Sequence, residues 1–89
     1  SIKKFAIFRN YPNPFNGATQ IVFILEKSSQ VKIEIYDLNG RLVSQFNEVY
    51  GTAGKYSVNW QPERNASGVY FCRLTAGDFS QIIKMMYMK

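Results

Sequence analysis

The run GKYSVNW at residues 54–60 most constrains what this chain can become. Tyr56, Val58 and Trp60 alternate with Lys55, Ser57 and Asn59, so three large side chains share one face and three polar ones the other. Period two over this length predicts a strand with one face buried, central in an antiparallel sheet. Trp60 is the only tryptophan. Because Tyr56 and Val58 share its face, it is expected in the core and not on a sugar- or base-stacking surface.

The same alternation recurs on both sides of this run. Residues 19–25 place Thr19, Ile21, Phe23 and Leu25 on one face, and residues 30–36 turn Val31, Ile33 and Ile35 inward. After a turn at Asp37, Leu38, Asn39 and Gly40, residues 41–46 return as a partner strand with Leu42 and Phe46 on the core side. Asn39-Gly40 suits the positive-φ positions of a tight hairpin. Residues 47–53 read as a longer crossover. Residues 69–75 form the next strand, with Tyr70, Cys72 and Leu74 inward and Arg73 outward. Ala76, Gly77 and Asp78 make a hairpin into a last strand over 79–89. Both faces of that strand are apolar: Ile83, Met85 and Tyr87 on one side, Ile82, Met86 and Met88 with Lys84 on the other. Such a strand is either covered on both sides or open to a partner.

Two prolines interrupt the pattern near the start. In Tyr11, Pro12, Asn13, Pro14, Phe15 and Asn16 they remove two backbone donors, which excludes a central strand. The segment is expected to be a stiff extended loop, pinned to the edge of the fold by Tyr11 and Phe15. Residues 1–10 read as a linker or edge segment, and 11–89 as one domain. The expected fold is all-β: an immunoglobulin-like antiparallel sandwich of about seven strands.

Eighty-nine residues suffice for one domain. Seven Phe and six Tyr supply the area that so small a core requires. The net charge of +5 comes from basic residues scattered along the chain, so no nucleic-acid arm is indicated. No apolar run is long enough for a transmembrane helix. One cysteine excludes an internal disulfide and leaves the compartment open. With no histidine there is nothing to activate Cys72 as a nucleophile, and the usual zinc sites and nucleophile–base pairs are missing. The six carboxylates are dispersed, with Asp37 and Asp78 at turns. A catalytic role, a metal site and a cofactor are therefore not expected.

Five short motifs occur in order: YPNPFN at 11–16, IYDLNGR at 35–41, GKYSVNW at 54–60, ASGVYF at 66–71 and KMMYMK at 84–89. Together they resemble the type A C-terminal sorting domain of the type IX (Por) secretion system of Bacteroidetes and related bacteria. The immunoglobulin-like domain of flagellar hook-capping proteins is a similar relative. The resemblance implies a non-catalytic signal that directs a larger protein from the periplasm across the outer membrane to the cell surface or medium. The implied partners are the translocon, the sortase components that remove such domains and anchor the cargo, and an N-terminal cargo domain of the same polypeptide. The family's terminal basic–apolar–basic motif falls on Lys84, Met85, Met86, Tyr87, Met88 and Lys89, with methionines where branched aliphatics are commoner. A first residue other than Met, and an end at this motif, fit the C-terminal piece of a longer protein. The competing readings are an accessory carbohydrate-binding module using Tyr36 and Phe71, and an immunoglobulin-like spacer. The apolar last strand, flanked by Lys84 and Lys89, is suited to strand addition or groove docking.

Overall fold

The computed structural model describes residues 8–62 and 64–89. Seven strands follow one another: β1 (Phe8–Tyr11), β2 (Thr19–Leu25), β3 (Ser29–Tyr36), β4 (Leu42–Tyr50), β5 (Gly54–Trp60), β6 (Gly68–Ala76) and β7 (Phe79–Tyr87). They pair antiparallel into a three-stranded sheet, β1-β2-β5, and a four-stranded sheet, β4-β3-β6-β7. With β2 beside β5 and β3 beside β6, consecutive strands repeatedly cross between sheets, which is the immunoglobulin-like sandwich arrangement. Phe8–Tyr11 is an edge strand; the remainder of the expected edge segment, residues 1–7, lies outside the described residues.

The inner faces follow the period-two reading. Ile21, Phe23 and Leu25 of β2 join Val31, Ile33 and Ile35 of β3, and Tyr70, Cys72 and Leu74 of β6, in one buried cluster with Trp60, Met85 and Tyr87. Cys72 is buried without solvent contact, and burial pushes its thiol up to about 12, which keeps it protonated and unreactive. Pairing alternating strands across two sheets places every second side chain in a layer about 10 Å thick.

Several expectations are corrected. β5 is an edge strand, and β2 holds the centre of its sheet. Trp60 is buried as expected, but Tyr56 and Val58 are only half-buried. The reason is that β4 and β5 lie along one open side of the sandwich, leaving a groove of about 330 Å³ lined by Phe46, Tyr50 and Val58 among others. β4 continues to Tyr50, so the crossover shrinks to residues 51–53.

Leu42 is exposed, not inward. Ile35 faces Ser44, yet Tyr36 faces Leu42, so Val43 is an extra residue in β4. That bulge flips the alternation, turning Val43 toward the core and Leu42 away from it.

At the β3–β4 turn only Gly40 has positive φ, at 82°, and Asn39 does not. The Gly40 amide donates to the Asp37 carbonyl at 3.0 Å, and the Asp37 amide donates to the Arg41 carbonyl at 2.9 Å. The Asp37 carboxylate then accepts the amides of Asn39 and Arg41, each at 2.9 Å, so the side chain organises the turn. Between β6 and β7, Gly77 (φ 61°) precedes Asp78 in a two-residue loop, the sign pattern of a II′ turn.

Candidate functional site

The two segments singled out in the sequence are bound to each other. β7 is the edge strand of its sheet, and β6 satisfies only one side of it. The other side, from Lys84 to Met88, is covered by the proline-rich loop. Phe15 forms a parallel bridge with Tyr87: its amide donates to the Met86 carbonyl at 3.0 Å, and its carbonyl accepts the Met88 amide at 2.8 Å. Asn13 extends the ladder with its side chain. Its Oδ1 accepts the Met86 amide at 3.0 Å, and its Nδ2 donates to the Lys84 carbonyl at 3.3 Å. The polarity of those two partners sets the orientation of the amide. Both X–Pro bonds of the loop, Tyr11–Pro12 and Asn13–Pro14, are cis.

The prolines make this arrangement workable. Pro12 and Pro14 have no N–H, so a continuous main-chain ladder along β7 is impossible there. A primary amide side chain carries both a donor and an acceptor, which lets Asn13 do what a peptide unit would. The terminal strand, whose apolar faces suit it to strand addition or groove docking, is therefore not open at its C-terminal half. Its backbone is engaged on both sides.

The loop's start is fixed separately. Thr19 Oγ donates to the Pro12 carbonyl at 2.8 Å. Asn10 Nδ2 reaches Thr19 Oγ at 3.2 Å and the Pro12 carbonyl at 3.4 Å. Asn10 and Thr19 are buried polar groups, and these bonds give them partners. Thr19 was expected inward from the alternation of β2. Asn10 was missed, because a single polar residue in a four-residue strand carries no periodic signal. Tyr11, expected to pin the loop, is 70% exposed. Asn10, one position earlier on the opposite face, does the anchoring.

Below the loop, the aromatic residues of four motifs meet. Phe15, 3% exposed, stacks on Tyr87 with ring centroids 5.2 Å apart and touches Trp60 at 5.8 Å. Trp60 meets Tyr70 edge-on at 5.4 Å, and Tyr70 lies 6.5 Å from Tyr87. The Tyr70 hydroxyl donates to the Ala66 carbonyl four residues upstream, as in the tyrosine corner of immunoglobulin-like sandwiches. Burial raises the Tyr70 phenol above its ordinary range, with the negative charge of Asp37 adding to it, so the hydroxyl stays protonated to donate. The Lys89 amide donates to Ser67 Oγ at 2.8 Å, tying the chain end to the ASGVYF motif.

Of the terminal motif, Met85 and Tyr87 are core residues, whereas Lys84, Met86, Met88 and Lys89 face solvent. Of the loop motif, only Phe15 is buried. Nothing in this arrangement is a catalytic constellation. It holds the backbone of one strand on both sides and leaves that strand's outward side chains exposed.

No curated protein and no solved structure matches the chain. The family model of the secretion system C-terminal sorting domain matches residues 9–88, which include all five motifs but for the last residue of KMMYMK. Spanning nearly the whole sandwich, loop clasp and terminal strand together, that match shows that the chain belongs to this family, the non-catalytic signal domains of type IX secretion cargo proteins.

Proposed function

We propose that the joined loop and terminal strand form the element that the type IX machinery reads. The loop comprises Tyr11, Pro12, Asn13, Pro14, Phe15 and Asn16, and the strand comprises Lys84 to Lys89. The observation carrying this reading is the set of four hydrogen bonds between Asn13 or Phe15 and the backbone of residues 84–88. They hold the outward side chains of Lys84, Met86 and Met88 in one register. Membership of the family implies delivery to the cell surface or outside the cell. In our reading the domain spans residues 11–89, with 1–10 leading in from an N-terminal cargo domain. It passes through the periplasm, meets the translocon there, and is then removed by sortase components that anchor the cargo.

The test is export of a reporter carrying a periplasmic signal peptide and this domain in a host with a type IX system. Removing residues 84–89 is expected to strand the reporter in the periplasm. Met85 and Tyr87 are buried, so that deletion also strips the core. The informative variant is Lys84→Glu with Lys89→Glu, at exposed positions where the fold should stay within about 0.5 kcal/mol. Normal export of both variants would refute the reading.

A further inference from the structure

The clasp changes which part of the terminal strand is available to a partner. From Lys84 to Met88 the backbone of β7 is bonded to β6 on one side and to the loop on the other. Strand addition at that position would require the loop to leave. What remains accessible is the outer face of the four-stranded sheet.

That face carries more exposed apolar side chains than the outer face of the other sheet. On the three-stranded sheet the outer positions hold Arg9, the exposed Tyr11, Lys55, a Gln20–Asn59 hydrogen bond at 2.7 Å, Ser57, and two half-buried aliphatics, Val22 and Ile24. On the four-stranded sheet the register brings Leu42, Tyr36, Phe71 and Lys84 into one row across all four strands. Val69 and Met86 form the adjacent row, and Arg73 and Ile82 flank Phe71 and Lys84 on the other side. Leu42, Ile82 and Met86 are exposed. Arg73 lies over the Tyr36 ring at 5.7 Å and 4.0 Å from Glu34, and Lys32 is 3.9 Å from the same carboxylate. Glu34 is thus already shared between two cations, while Lys84 forms no ion pair within 4.0 Å among the described residues.

We propose that this cross-strand band, centred on Phe71, Met86 and Lys84, is the surface that docks on the secretion machinery, and that its partner is a protein surface combining acidic and apolar side chains. The inference rests on the sorting reading and deepens it by moving recognition from the strand edge to a sheet face. Apolar side chains supply contact area, and the uncompensated Lys84 selects for a carboxylate. A second copy of the chain is disfavoured as the occupant because Lys32, Arg73 and Lys84 outnumber Glu34 on this face, and like faces would repel. Four strands about 4.8 Å apart, covered over five or six residues, offer about 400 Å². That is half the roughly 800 Å² per partner of a stable complex, so the contact is transient, as a released sorting domain requires.

The experiment uses the same export reporter with three sets of variants, each checked for an unchanged thermal melt. Phe71→Thr with Met86→Thr removes the apolar anchors but keeps strand-forming residues, and should lower the exported fraction about tenfold, the effect of losing about 1.4 kcal/mol of binding. Lys84→Glu should lower it further than Lys84→Gln, because only reversal repels an acidic partner. Val22→Thr with Ile24→Thr, on the opposite sheet, should export as the parent does. Equal export of all these variants overturns the face, and the sorting reading survives that outcome when removal of residues 84–89 still strands the reporter in the periplasm. Failure of the parent reporter itself removes both. Co-sedimentation with phosphatidylethanolamine–phosphatidylglycerol vesicles that is lost in the Phe71/Met86 variant would make lipid the occupant and overturn the protein partner.

Discussion

Trp60 ends a strand whose other inward residues are only half-covered, yet it is 5% exposed because Phe15 and Tyr70 close over it from the loop and the facing sheet. Truncation to alanine removes the centre of that aromatic cluster and should cost about 3–5 kcal/mol, read as a fall in the denaturant midpoint. A loss near zero would mean that the ring is not packed. Asp37 acts at the same scale through charge. The Arg41 amide, first, and then the Arg41 side chain at 3.2 Å and the Asn39 amide hold its carboxyl below the usual aspartate range, against the opposing effect of burial. A depressed pKa in the folded state means that the folded chain binds fewer protons than the unfolded one, so stability rises with pH across this window. The contribution is fully present above about pH 4 and is lost as pH falls through the folded value. Melting temperatures of the parent and Asp37→Asn should therefore differ at neutral pH and converge below pH 4. A gap that persists in acid would show that the charge is not what matters.

At the level of elements, the proline loop and β7 behave as one unit. The Asn13 side chain supplies two of the four hydrogen bonds that cover the strand edge. Asn13→Ala should cost only about 0.5–1.5 kcal/mol, since the freed groups lie at the surface and regain water. Its sharper effect is local: hydrogen exchange at the Met86 amide should accelerate by more than the global destabilisation accounts for. The Met88 amide, held by the Phe15 carbonyl, should change less. Equal changes at both positions would mean that the loop opens as a whole and that Asn13 is no separate clamp.

At the scale of the whole molecule, few of the described aromatics are left for a glycan platform, Tyr11 being exposed on the outer face of the other sheet. Phe15, Trp60, Tyr70 and Tyr87 are consumed by the core, and Tyr50 and Tyr56 pack on each other at 4.2 Å beside Phe23. On the outer sheet face Tyr36 carries Arg73 over its ring, leaving Phe71 without an uncovered aromatic neighbour to form a flat surface. Titration calorimetry with xylan, cellulose and mannan oligomers should give no saturable heat. A micromolar site lost on Tyr36→Ala or Phe71→Ala would reassign the face to carbohydrate.

Strand positions, inward faces and most turns were legible because they depend on neighbours two to four residues apart. Alternation in 19–25 and 54–60 gave β2 and β5 to the residue. The Leu42 error arose from a bulge, since one extra residue reverses parity and no local signal marked Val43. The motif resemblance picked out the loop and the terminal strand as separate segments. Their union was not legible: the Asn13 and Lys84 groups that meet are 71 residues apart, and hydrogen-bond capacity in a sequence does not name its partner. Local chemistry thus determined which residues form strands and which side of each is apolar. Only the tertiary structure decided that β5 is an edge, that β7 is clasped, and which face is left for a partner, because edges and partners arise when distant strands compete for the same backbone groups.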